Sequence, residues 1–172
     1  MDFLQLAKTR YAARQYQDRP VEQEKLDIIL EAGRVAPTAC NNQPQRVLVV
    51  RTPEGMEKLS KGYKTFGAPV ALIVCANHEE SWRRSYDGLD SAQIDASIVT
   101  DHMCLCAADQ GIGSVWVCAF NPTVIREEFA IPQEWEPVNI LLLGYADGKV
   151  RLPDRHDQFR KPLTETVFYD HF

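Results

Sequence analysis

Between Val21 and Arg34, apolar Leu26, Ile29 and Leu30 recur on a helical period while Glu and Lys take the opposite side, which predicts an amphipathic helix. Asp2 to Lys8, with Phe3, Leu4 and Leu6, predicts a shorter helix, and Pro53 to Gly62 another. The run "RVLVVR" (Arg46 to Arg51) reads as a strand and "PVALIVCA" (Pro69 to Ala76) as a buried one. "SVWVCAF" (Ser114 to Phe120) and "PVNILLLGYA" (Pro137 to Ala146) complete the predicted strands. Ser91 to Gln110 predicts a long helix stopped by Gly111. Its apolar residues Ile94, Ile98, Val99, Met103, Leu105, Ala107 and Ala108 occupy more than one side, so it should be buried on several, one of them by a subunit interface. Asn121 and Pro122 cap and open a helix to Phe129. After Gly148 a basic stretch leads to "LTETVFYDHF", a strand-like end with no evident partner in its own chain. Helices and strands interleave in a three-layer domain with an extended tail. Periodicity leaves open whether the sheet is of the α/β or the α+β kind.

The length of 172 residues suits a single domain over residues 1–172. A net charge of −5 argues against a general nucleic-acid surface. No apolar run approaches a membrane span, and the first residues carry no signal-like run, so the expectation is a cytoplasmic protein without nucleic-acid or membrane partners. Five cysteines (Cys40, Cys75, Cys104, Cys106 and Cys118) form no C-x-x-C pair. A disulfide framework or zinc site is therefore not expected.

Four sequence features are candidates for chemistry. Arg10 and Arg14, in "RYAAR", stand four apart and put two guanidinium groups on one side of a helical or turn-like segment. Two such forks suit a phosphate monoester; the plainer reading is a pair of solvated arginines. "VAPTACNNQP" (Val35 to Pro44) packs two prolines and several amides into a rigid loop between core elements. "GIGS" (Gly111 to Ser114) follows a helix and precedes a strand, the reverse of a dinucleotide-binding turn, and reads as a helix stop. His102, Cys104 and Cys106 share a helix, but residues two apart point to opposed faces, so they read as core. No nucleophile–base arrangement stands out, which directs any redox or transfer chemistry to a cofactor.

Read together, R-x-x-x-R and, about twenty-five residues on, A-P-T-x-x-N-x-Q-P resemble the nitroreductase family of flavin enzymes. The resemblance continues through "AADQGIGSVWVCAF", "LLLGYA" and "RKPLTETVFY", in order along nearly the whole chain. It implies an α+β three-layer sandwich, a mostly antiparallel central sheet flanked by helices, and a C-terminal tail exchanged in a homodimer. It also implies FMN at the subunit interface, electrons from NADH or NADPH by a ping-pong route, and a small-molecule acceptor such as a nitroaromatic or quinone. No side chain would be catalytic, the chemistry lying at flavin N5. Arg10 and Arg14 would hold the FMN phosphate, with Tyr11 and Ala12 backbone nearby and Arg160 or Lys161 completing the clamp. Pro37, Thr38, Ala39 and Asn41 would come from the other subunit, and Lys64 would lie near the pyrimidine edge. Val117, Cys118 and Ala119 would direct backbone N–H groups at N5 and O4. The chain departs from the usual pattern at Ala12 and Thr38, each in place of a Ser, and at Gln45, in place of an aromatic residue; Trp82 is a candidate lid. Two alternatives stand beside this reading: a flavin-binding carrier without turnover, and specialised flavin chemistry on the same fold.

Overall fold

The computed structural model describes residues 2–148 and 151–172. In chain order its elements are α1 (Phe3–Thr9), α2 (Gln23–Arg34), β1 (Gln45–Val50), α3 (Pro53–Gly62), β2 (Val70–Ala76) and α4 (Ala92–Asp109). There follow β3 (Gly113–Val117), α5 (Pro122–Glu128), β4 (Glu136–Gly144) and α6 (Arg155–Phe159), with 3-10 turns at Ala39–Asn41 and Leu163–Glu165. The strands lie in the order β1-β2-β4-β3 and every neighbouring pair is antiparallel.

All seven residues of β2 are buried, because helices cover both faces of the sheet. On one face Leu72, Val74, Leu141 and Leu143 pack with Leu26 and Ile29 of α2 and Val99 and Met103 of α4. On the other, Ala71, Ile73, Ile140 and Leu142 pack with Leu59 of α3 and Ile125 of α5. The result is a three-layer α+β sandwich. A strand covered on both sides loses the apolar–polar alternation that marks a one-faced sheet. That is why the sequence pattern left the strand order open. Where β2 meets β4 the register shifts between Val74 and Cys75, whose partners are Asn139 and Pro137. A proline cannot donate to a ladder, and a shift is where a sheet tolerates one.

The helix ends follow local rules. Asn121 Oδ1 accepts from the N–H groups of Thr123 and Val124, capping α5, with Pro122 behind it. Gly111, at φ +71°, takes the left-handed step that ends α4 and lets the Ile112 N–H reach the Ala107 carbonyl. Two predicted strands are corrected. β3 ends at Val117 rather than Phe120, since the chain turns away to donate Asn121 N–H to the Gly62 carbonyl and start α5. The C-terminal end is not a strand: Thr166 and Val167 N–H groups both turn back to the Leu163 carbonyl, local acceptors replacing an absent strand partner. Among the described residues no helix is long and apolar enough to cross a membrane.

The segment from Asn77 to Ser91 returns on itself, with Arg84 N–H bonded to the Leu89 carbonyl and Ser91 N–H to the Trp82 carbonyl. Trp82 is half-buried at the base of this hairpin. His78 fastens it: Nδ1 lies 3.0 Å from Asp90 Oδ2 and Nε2 2.6 Å from Glu136 Oε2, at the head of β4. Both ring nitrogens face carboxylates, so the cation is favoured; the Asp90 hydrogen bond first, then that of Glu136, raises the His78 pKa, while His78 lowers that of Asp90. A raised histidine pKa contributes stability that is fully present below the unfolded-state value and is lost as pH rises through the folded one. A lowered aspartate pKa contributes stability that is lost as pH falls through its folded value. We therefore expect the wild-type protein to exceed His78→Gln by about 0.5–1 kcal/mol on the acid side of neutrality, as for partly exposed pairs. The gap should close above the raised His78 pKa, and thermal melts of both proteins across pH read it directly.

Candidate flavin site at the sheet edge

The backbone after α1 extends the sheet. Ala12 bridges Ser114 of β3 in parallel, Ala13 N–H donates to the Ser114 carbonyl at 2.9 Å, and Tyr16 bridges Ala146. Tyr16 is buried, and its hydroxyl donates to the Ala13 carbonyl at 3.0 Å; burial pushes its pKa well above the ordinary phenol value. Gly113 permits this close approach, since a Cβ there would meet the Cβ of Ala146 at 2.8 Å and that of Ala13 at 3.2 Å. Along this irregular extended segment Ala13 and Tyr16 enter the core while Arg14 and Gln15 stay exposed.

Arg10, Arg14 and Arg160 meet around a cavity of about 340 Å³, joined by Arg151 and Arg155. Tyr11 and Ala12 line the same cavity, and a second hollow of about 330 Å³ is bordered by Arg14, Asp147 and Arg151. Among the described residues, the guanidinium groups of Arg10, Arg14, Arg151 and Arg160 make no hydrogen bond or salt bridge. By contrast, Arg19, Arg34 and Arg84 each grip a nearby carboxylate. Guanidinium groups gathered together repel one another, and burial first, then Arg10, Arg151 and Arg160, lowers the Arg155 pKa against the opposing charge of Asp154. Such a donor set, with open forks and backbone beside them, fits a phosphate monoester.

The amide-rich loop stands elsewhere. It precedes β1, the strand at the opposite edge from β3, and three inter-strand spacings put about 14 Å between those edges. The loop is rigid: Cys40, Asn41 and Gln43 all have φ above +50°, Thr38 Oγ1 accepts from Gln43 N–H, and Thr38 O from Asn41 N–H. Within one chain, Pro37, Thr38, Ala39 and Asn41 are therefore not brought to Arg10 and Arg14. Val117 is buried while Cys118 and Ala119 are exposed just past the end of β3, where their N–H groups are not engaged in the ladder. Lys161 is exposed beside Arg160. Lys64 is exposed too, Nζ 5.3 Å from the Phe66 ring centroid, and does not line the arginine cavity. Gln45 turns inward, where its Oε1 is buried without a partner.

Two features escaped sequence reasoning. Arg151 and Arg155 belong to the arginine cavity, although only their membership of a basic stretch was visible. Asp95 holds the amide-rich loop: buried on α4, it accepts from Ala39 N–H at 2.9 Å through Oδ1 and from the Ser91 hydroxyl at 2.7 Å through Oδ2. Asp95 is one of three aspartates on α4, with Asp101 and Asp109, and only its burial sets it apart, which residue type does not reveal. Removing it leaves the Ala39 N–H without its partner, so Asp95→Ala should cost about 1.5–3 kcal/mol in chemical denaturation. The Asp95→Asn protein should recover part of that loss.

With this geometry in view, likeness to known proteins is informative. The nitroreductase family model matches residues 7–65 and 57–145. A nitroreductase family protein from Clostridium difficile 630 is 50% identical and superposes with a TM-score of 0.98 over 100% of both chains. A protein from Methanothermobacter thermautotrophicus, named as an NADH dehydrogenase/NAD(P)H nitroreductase, is 34% identical over 154 residues, 84% of this chain and 78% of its own. A Desulfovibrio desulfuricans nitroreductase solved in complex with FMN is 25% identical, with a TM-score of 0.82 over 100% of this chain and 99% of its own.

Proposed function

The chain belongs to the nitroreductase family, and we propose that it reduces nitroaromatic, quinone or similarly conjugated small molecules at an FMN site shared by two identical subunits. It is an NAD(P)H-dependent flavin oxidoreductase, with FMN as its cofactor. The observation that carries the assignment of the site is the group of arginines around one cavity whose guanidinium forks find no anion in the protein. When bound, FMN supplies acceptance of a hydride from the nicotinamide and its delivery to the acceptor, which would occupy the same face in turn.

The chain's own residues bind, orient and shield. Arg10 and Arg14, with Arg160 or Lys161, would grip the phosphate, and Tyr11 and Ala12 would offer backbone to it. Ala12 brings no hydroxyl, so its contribution is main-chain only. Backbone N–H groups of Cys118 and Ala119, following Val117, would stabilise negative charge gathered on the ring, as preorganised donors do in a site closed to water. Pro37, Thr38, Ala39 and Asn41 of a second subunit would form the facing wall, fastened by Asp95. Lys64 would reach the pyrimidine edge from its surface loop.

The shared-site reading is supported by an open groove of about 600 Å³ between α4 and β3, lined by Ile94, Ile98, His102 and Trp116. Ile94 is half exposed there, and the buried Trp116 indole N–H has no partner among the described residues. A second copy would cover the apolar surface and could accept from that donor. The exposed Phe168 and Phe172 rings, 5.0 Å apart, give the tail an apolar face for the same partner.

Heat release followed by chromatography should yield FMN from the purified protein; recovery of FAD would overturn the assignment. Mixed with NADH or NADPH without oxygen, the bound flavin should bleach in the visible, whereas a carrier without turnover would stay yellow with both. Arg14→Ala should weaken FMN binding by about ten- to hundred-fold in fluorescence titration, the loss of a charge-assisted hydrogen bond. Deleting the residues after Pro162 should shift the light-scattering mass from dimer towards monomer and lower flavin content together. A full-length monomer that keeps its FMN would refute the shared site.

A further inference from the structure

Arg155 is the one arginine of the cavity whose fork is occupied. Its Nη2 donates to the Arg10 carbonyl at 2.6 Å, and its Nη1 to the Lys8 carbonyl at 3.0 Å and the Leu152 carbonyl at 2.9 Å. His156, the next residue, donates from Nε2 to the same Lys8 carbonyl at 3.1 Å. Lys8 and Arg10 lie at the end of α1, where carbonyls have no intrahelical donor and where the helix dipole favours a cation. The half-buried Arg155 and His156 therefore fasten α6 to the end of α1 across most of the sequence. The bond to its carbonyl fixes the peptide from which the Arg10 side chain departs. Because its hydrogen-bond partners are carbonyls and not carboxylates, no bonded anion offsets the positive charge of Arg155 beside the cavity.

We propose that Arg155 is a positioning residue for the phosphate end of the flavin: by bonding the Lys8 and Arg10 carbonyls it presents the Arg10 guanidinium to the phosphate. This rests on the assignment of the arginine cavity to FMN. A lysine at the same place would keep the charge, but one ammonium cannot span the two carbonyls as a planar fork does.

Riboflavin, which has the same ring system and no phosphate, separates positioning from general support. Apoprotein of the full chain is titrated with FMN and with riboflavin, for wild type, Arg155→Ala and Arg155→Lys. The wild-type preference for FMN tests the cavity assignment by itself; its absence would remove the premise before any variant is judged. Given that preference, Arg155→Ala should raise the FMN Kd by about tenfold or more while the riboflavin Kd moves by less than about twofold. Arg155→Lys should recover less than half of that loss on a logarithmic scale. Amide hydrogen exchange in the apoproteins should quicken over residues 9–14 in both variants and stay unchanged in β2 and β4. Equal weakening of FMN and riboflavin, full recovery by Lys, or unaltered exchange over residues 9–14 would each overturn the proposal. Should the Ala variant fail to fold, the Lys variant, which retains charge and stem, decides the matter on the same readouts.

Discussion

β2 and β4 lie side by side with helices on both faces, and that double burial governs where chemistry can sit. Among the described residues, Asn139 and Thr100 interrupt the apolar packing there, Thr100 Oγ1 donating to Asn139 Oδ1 at 2.9 Å while Asn139 Nδ2 stays buried without a partner. A charged ligand placed in that interior would lose its hydration with nothing to replace it. Function is thereby pushed to the margins of the sheet. The arginine segment lies beyond β3 and the amide-rich loop just before β1, at opposite edges. Within one chain the two surfaces stay apart, which is the geometric ground for the proposed site between two subunits.

The margins solve their electrostatic problems differently. At the β1 edge, a buried carboxylate, Asp95, is matched by an N–H and a hydroxyl, and so holds a strained loop without needing a cation. At the β3 edge, cations gather with Asp147 and Asp154 nearby but no carboxylate bonded to them, and the protein tolerates their repulsion because most of them remain exposed to water. One edge satisfies its charge internally, and the other leaves its guanidinium forks open, as the proposed phosphate site requires.

The elements were legible where a single period dominated. Leu26 and Ile29 turn inward on α2 as their spacing requires, and Pro53–Gly62 has the bounds that its capping Thr52 and following loop suggest. Strand order was not, because "VALIVCA" reads the same whether its neighbours run parallel or antiparallel once both faces are covered. Leu163 to Phe172 misled through its Val167, Phe168 and Tyr169, which favour a strand, whereas the Thr166 and Val167 N–H groups close into local turns on the Leu163 carbonyl. That Arg10, Arg14 and Arg160 come together at one cavity was legible from the motif and the basic stretch that carry them. Arg155 and Asp95 were not, since each works on backbone atoms far along the chain, and main-chain acceptors and donors leave no signature in residue type.

The link from Arg155 and His156 back to Lys8 and Arg10 spans 145 to 148 residues of sequence. Contacts of such separation form late, after the loop they close has become ordered. During synthesis the sheet can assemble once β4 has left the ribosome, yet the arginine cavity still lacks one wall. Closing the arginine cavity therefore waits on residues 151–160, and the sheet can reach its fold before that wall is in place.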